Sequence, residues 1–199
     1  MSITEGLGKG AISLGLKGLA FFFLLLIFVF LIVGIAAEKE GFFYAEMDEY
    51  DFDLGVEELW FGWKGFSVDG FSVTYTTEPA FFEEMDSPGS AAVALLVLAM
   101  IASLVVAAAI GASIFCALKM KQFAVMASAV AMGFTVAVWV LDSIAWIVMI
   151  AVFNEKLVDD ELQLYTWTVD YAFVLQLLNC ALWVPAVLVS LGVAIVLDR

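Results

Sequence analysis

Charged residues are absent from Gly18–Ala37, Ala91–Leu118 and Tyr171–Leu197, and Phe123–Phe153 contains a single one, Asp142. Each stretch reaches the roughly 20 residues that cross a hydrocarbon core about 30 Å thick. The pattern predicts four membrane-spanning helices, over about 18–37, 91–118, 123–153 and 171–197. The first is read as a span and not as a cleaved signal peptide, because its apolar run exceeds an h-region of about 7–15 residues. A large loop, residues 38–90, separates the first two spans, and a shorter one, 154–170, separates the last two. The whole chain, 1–199, is read as a single four-span membrane domain.

Inside the large loop the period changes from that of a helix to that of a strand. Residues 58–77 read Glu-Leu-Trp-Phe-Gly-Trp-Lys-Gly-Phe-Ser-Val-Asp-Gly-Phe-Ser-Val-Thr-Tyr-Thr-Thr. Asp69-Gly70 is the dipeptide of a type I′ turn, in which both central residues need positive φ. Val68 then faces Phe71, Phe66 faces Val73 and Lys64 faces Tyr75. That register puts Phe66, Val68, Phe71, Val73 and Tyr75 on one face, with Ser67, Ser72, Thr74 and Thr76 on the other. Gly41–Tyr44 is a candidate further strand beside this hairpin. Asp86-Ser-Pro-Gly-Ser90 has turn and N-cap chemistry and is expected to close the loop before the second helix. Residues 1–17 are Gly-rich and weakly amphipathic, a candidate interfacial helix.

Composition agrees with this division. Apolar residues make up 64% of the chain and the mean hydropathy is +1.06, outside the range of soluble domains. The predicted fold class is a membrane all-α four-helix bundle with a small extracellular antiparallel β-sheet cap. Lys9, Lys17, Lys119, Lys121 and Arg199 lie on one side of the four spans, and Lys39, Lys64 and Lys156 on the other. The positive-inside bias therefore predicts both termini and the Lys119–Gln122 turn in the cytoplasm; the expected location is the plasma membrane, as a multi-pass protein. Residues 38–90 carry fourteen acids against two lysines, and 154–170 carry five against one. Such a face repels nucleic acid and anionic lipid, and attracts divalent cations only loosely. The run Glu46–Asp53 lacks the glycine and glutamate placement of a calcium loop, and reads as solvated surface. Neither a metal site nor a cofactor is expected.

Cys116 and Cys180 fall inside spans, so no disulfide is predicted in the loops, and both read as packing residues. Lipidation of Cys116 is an alternative, while a Met-Ser start excludes N-myristoylation. Asp142, Ser143, Gln176 and Asn179 fall at a similar depth and are predicted to form one intramembrane polar layer. It reads either as interhelical glue, with Asp142 paired to a residue such as Lys64, or as a cation site. Ser103-Ala107-Gly111, Ala129-Gly133-Ala137 and Ala186-Ser190-Ala194 are small-residue ridges suited to close helix packing. The Phe-rich first helix has no such ridge and reads as lipid-facing or docked on another protein. Pro185 is expected to kink the fourth helix.

Trp60, Phe61, Trp63, Phe66, Phe71 and Tyr75 are too many rings for so small a cap to bury. Exposed aromatics rimmed by charge are the anatomy of a binding surface, so these six are the candidate partner-binding residues. The alternative is an aromatic belt at the headgroup level. The chain has no histidine, and no phosphate loop, nucleophile elbow or metal-cysteine spacing, so no enzyme is expected.

Four spans, a large first loop with a hairpin, a Leu59-Trp60 element, a short inner turn and a long third helix together resemble the claudin-type tetraspan superfamily. Glu58 stands where that family has glycine, and the two cysteines that follow there have no counterpart. Phe61-Gly62-Trp63-Lys64 also resembles the core of the amastin signature of trypanosomatid surface proteins. The resemblance implies a non-enzymatic protein acting in lateral assembly, or as an accessory subunit of a larger membrane complex. Its expected partners are other membrane proteins or further copies of itself, within the lipid bilayer. The alternative function is a cation-conducting or cation-selective element using Asp142 and the acidic loop.

Overall fold

Long uninterrupted apolar runs give long helices, here in a computed structural model that describes residues 3–38, 40–47, 58–68, 71–74, 80–117, 120–155 and 165–199. The helices are α1 (Ile3–Ala36), α2 (Ala80–Cys116), α3 (Lys121–Phe153), α4 (Tyr171–Leu178) and α5 (Val184–Asp198), the last two joined by a π-helical turn, Asn179–Trp183. Four helical stretches are long and apolar enough to cross a membrane, which makes this a multi-pass membrane protein by length and composition. α1, with 34 residues, spans about 51 Å at 1.5 Å per residue, well beyond a hydrocarbon core of about 30 Å.

Each long helix buries one seam. In α1 the buried positions are Ser13, Lys17, Ala20, Leu24, Ile27, Leu31 and Gly34; in α3 they include Ala124, Ser128, Ala131, Thr135, Val138, Asp142 and Ala145. The alternating spacing of four and three is the seam of coiled-coil-type packing. Within segment 1–17, expected as a separate interfacial helix, the described residues 3–17 instead belong to α1 without a break. The first helix is accordingly a packed member of the bundle along that seam, with Phe22 exposed on another side.

The packing divides into two units. One contains Met1–Val29, Leu98–Leu141 and Leu178–Arg199, and its described residues are helical except Ala117, Met120 and Arg199. The other contains Phe30–Val97 and Asp142–Leu177, and carries the sheet. Its strands are β1 (Phe43–Met47), β2 (Glu58–Phe61), β3 (Gly65–Val68), β4 (Phe71–Thr74) and β5 (Tyr165–Val169), arranged antiparallel in the order β4-β3-β2-β1-β5. The expected hairpin register holds, with Val68 opposite Phe71 and Phe66 opposite Val73. Asp69-Gly70 lies outside the described residues. β1 realises the candidate strand near Tyr44, whereas β5, from the shorter loop, adds a strand that was not expected.

Asp86–Ser90 is not a turn. It lies within α2, with Pro88 inside the helix. The physical reason is at Gly89: a Cβ there would run into the Trp63 main-chain carbonyl. Glycine is required by close packing beneath the β2–β3 turn, and not by a loop conformation.

Candidate functional site

The sheet is held to the helix ends by main-chain bonds. Trp63 N–H donates to the Ala37 carbonyl at 3.2 Å, and Lys64 and Gly65 N–H donate to Glu38 at 2.7 and 3.1 Å. The Trp63 indole N–H donates to the Ile35 carbonyl at 2.8 Å. The Ile35 carbonyl is one that the end of α1 leaves without an amide partner, and those of Ala37 and Glu38 follow directly on it. At the start of α4 the Gly41 carbonyl accepts from Ala172 and Phe173, at 2.8 and 3.3 Å. The Asp170 carboxylate accepts from Tyr171 N–H at 2.6 Å. Gly41 has φ +107°, and a side chain there would strike the Tyr171 ring.

One face of the sheet is committed to the helices. Phe43, Phe61 and Phe66 lie abreast on β1, β2 and β3 and are buried. Phe43 stacks on Phe153 at 3.9 Å between ring centres, and Phe61 meets the same ring edge-on at 5.6 Å. The next rung points the opposite way: Tyr44, Trp60, Ser67 and Ser72 follow one another across the sheet. Tyr44 and Trp60 pack ring against ring at 5.6 Å. Phe71 shares the face of Phe66, but at the outermost strand, and is 78% exposed.

The six aromatic candidates therefore separate. Phe61 and Phe66 are core, out of a partner's reach. Trp63 is half-buried and spends its N–H on α1, so it is a clasp between sheet and helix. Trp60 and Phe71 remain accessible to a partner, in part and in full respectively. Tyr75 lies outside the described residues, as does most of the acidic run Glu46–Asp53.

Among the residues of the polar layer, Asp142 is 0% exposed and Gln176 is buried, both in the sheet-bearing unit, and Ser143 is half-buried there. Lys64, the partner expected for Asp142, lies 3.9 Å from Glu38 and over the Trp63 ring. Gln176 Nε2 donates to the Phe30 carbonyl at 2.7 Å, and Gly34 leaves the room that its amide occupies. In the helical unit Asn179 is buried, and its Nδ2 donates to the Ile27 carbonyl at 3.5 Å. Contacts of this kind between spans average about 0.6 kcal/mol.

Two arrangements in the helical unit were not expected. Lys17 is 0% exposed and donates to Asp198 Oδ2 at 2.6 Å, while Ser13 Oγ donates to Oδ1 at 2.7 Å. The signal available was the seam itself, since Ser13 and Lys17 continue the buried row of Ala20 and Leu24. The second is at Pro185. Val184 N–H donates to the Asn179 carbonyl, five residues back. In that register the Cys180 carbonyl faces Pro185, which has no N–H. The Trp139 indole N–H takes that place at 3.1 Å. Pro185 thus gives a π turn with an indole filling the gap.

The small-residue ridges also separate. Ser190 and Ala194 are buried, and Ser103 lies in the seam of α2, but Gly111, Ala129 and Gly133 are exposed. Nothing lies within 4 Å of the space a Gly133 side chain would take. Compared with protein-family models and with curated proteins, the chain matches none.

Proposed function

We propose that this is a non-enzymatic tetraspan membrane protein, claudin-like in build, acting in lateral assembly or as an accessory subunit of a larger membrane complex. Its sheet end faces outside the cell and is the surface that other membrane proteins meet. The observation that carries this reading is Phe71, 78% exposed on a sheet whose neighbouring rings are locked onto the helix ends. A rigid sheet presenting an exposed aromatic and the Tyr44–Trp60 pair suits recognition, because little order is lost on contact. The outward ridge of Ala129 and Gly133 supports lateral association, since small residues let another helix approach closely in lipid.

The test is recovery of neighbours after mild detergent extraction and cross-linking. Trp60→Ala with Phe71→Ala should cut recovery of the main cross-linked partner by at least about fivefold, a little over 0.9 kcal/mol. Melting temperature should stay near that of the parent. Gly133→Leu probes the helix face separately. Unchanged recovery in both variants would overturn the reading. Trp63→Ala is unsuited to this purpose, since it releases the clasp on Ile35.

A further inference from the structure

The order of strands leaves β4 at one margin of the sheet. Only two residues separate Val68 from Phe71, so that pair closes a two-residue hairpin and exchanges both of its main-chain bonds. Bonded and non-bonded pairs alternate, which makes Phe66–Val73 the next bonded pair and Ser67–Ser72 a non-bonded one. The N–H and C=O of Ser72 therefore point away from β3, toward a side where no described strand lies. Ser72 is exposed, and so is Phe71 beside it.

Exposed edges are commonly blunted by lysine, proline, bulges or inward charges. β4 reads Phe-Ser-Val-Thr and has none of these residues. Its protection is its length alone, four residues. An edge of this kind accepts main-chain bonds from an extended segment, and side chains alternating along that segment set its specificity.

We propose that β4 receives an extended, basic segment of a partner protein as an added strand, bonded to the Ser72 main chain with an apolar side chain set against Phe71. Charge decides for a partner over a second copy. The loop that carries β4 has fourteen acids against two lysines, so two copies would bring like charge together, whereas lysines or arginines flanking the segment are attracted. The proposal takes the existence of a partner from the proposed function, but its geometry is independent of that reading.

The full-length protein in lipid nanodiscs is titrated with a labelled peptide of alternating valine and threonine, with paired lysines at each end, and followed by fluorescence anisotropy. Saturable binding is expected. Ser72→Pro removes the outward N–H and spares the bonded pairs, so affinity should fall about tenfold, while Ser72→Ala, which keeps the main chain, should bind like the parent. The same peptide N-methylated at alternate residues should lose binding to the unmodified protein, a result that does not depend on how Ser72→Pro folds. Equal binding by the methylated peptide, or by one with glutamate flanks, would overturn the proposal. Efficient Phe71→Cys cross-linking between copies would also overturn it, by making a second copy the occupant. If the peptide fails but partner recovery still depends on Trp60, the edge assignment falls and the proposed function stands.

Discussion

Lys17 illustrates how one side chain can serve a different purpose from the one its charge advertises. A lysine at the margin of a span reads as a marker of topology, yet this one has no exposed surface and lies on Asp198 with Ser13 beside it. Removing a single member of a buried pair leaves an uncompensated charge and costs about 3–5 kcal/mol. Asp198→Ala should therefore destabilise by about that amount in thermal or denaturant unfolding. Lys17→Met combined with Asp198→Leu should recover most of the loss, because apolar replacement of both partners is often neutral. A double variant as unstable as Asp198→Ala alone would mean that the pair supplies something other than charge balance. The site residues were legible to a similar, limited depth. That the rings of the loop could not all be buried was evident from their number. Which ones point inward depends on register against β1 and on Phe153, and neither relation is local. Trp63 carries no mark in sequence of the helix carbonyl it bonds.

At the scale of elements, the clearest local signals survive. The hairpin of β3 and β4 keeps its register, and each predicted span is helical over nearly all of its described residues. Tyr165–Val169 alternates as a strand should, but its pairing with β1 joins segments more than a hundred residues apart, and only the folded sheet reveals it. Pro88-Gly89 has turn chemistry that tertiary packing overrides. Pro185 is a more instructive case, because its effect extends to another helix. If the Trp139 indole compensates for the missing N–H, Trp139→Phe should cost about 1–3 kcal/mol, the usual range for a buried acceptor left unmet. In a Pro185→Ala background residue 185 regains an N–H for the Cys180 carbonyl, and the cost of Trp139→Phe should shrink by more than half. A double-mutant cycle read by unfolding tests this directly. Additive losses would show that the indole bond and the proline are unrelated. π turns recur at functional positions in helices, but here the stated cause is sufficient.

For the molecule as a whole, the four spans are legible because a bilayer forces every backbone amide into a helix and demands a long apolar run. What hydropathy does not report is which side of each helix faces a neighbour. The α3 ridge Ala129-Gly133 was expected inside its own bundle, and the buried seam runs elsewhere on that helix. Orientation is the remaining large-scale property, and it carries the proposed function, since a sheet that meets other cells' or neighbouring ectodomains must be outside. Four crossings put both termini on one side. Lys9, Lys119, Lys121 and Arg199 flank the spans there, along with Lys17, whose charge is matched by Asp198 only after the last helix has arrived. The insertion machinery meets Lys17 before that, so it still counts toward retention of the first flank. A protease-cleavable tag placed at either terminus should therefore be protected in intact cells. One inserted after Thr77, between β4 and α2, should be cut. Cut termini with a protected loop would invert the molecule, put its acid-rich loops in the cytoplasm, and leave the exposed Phe71 edge for a cytoplasmic partner instead.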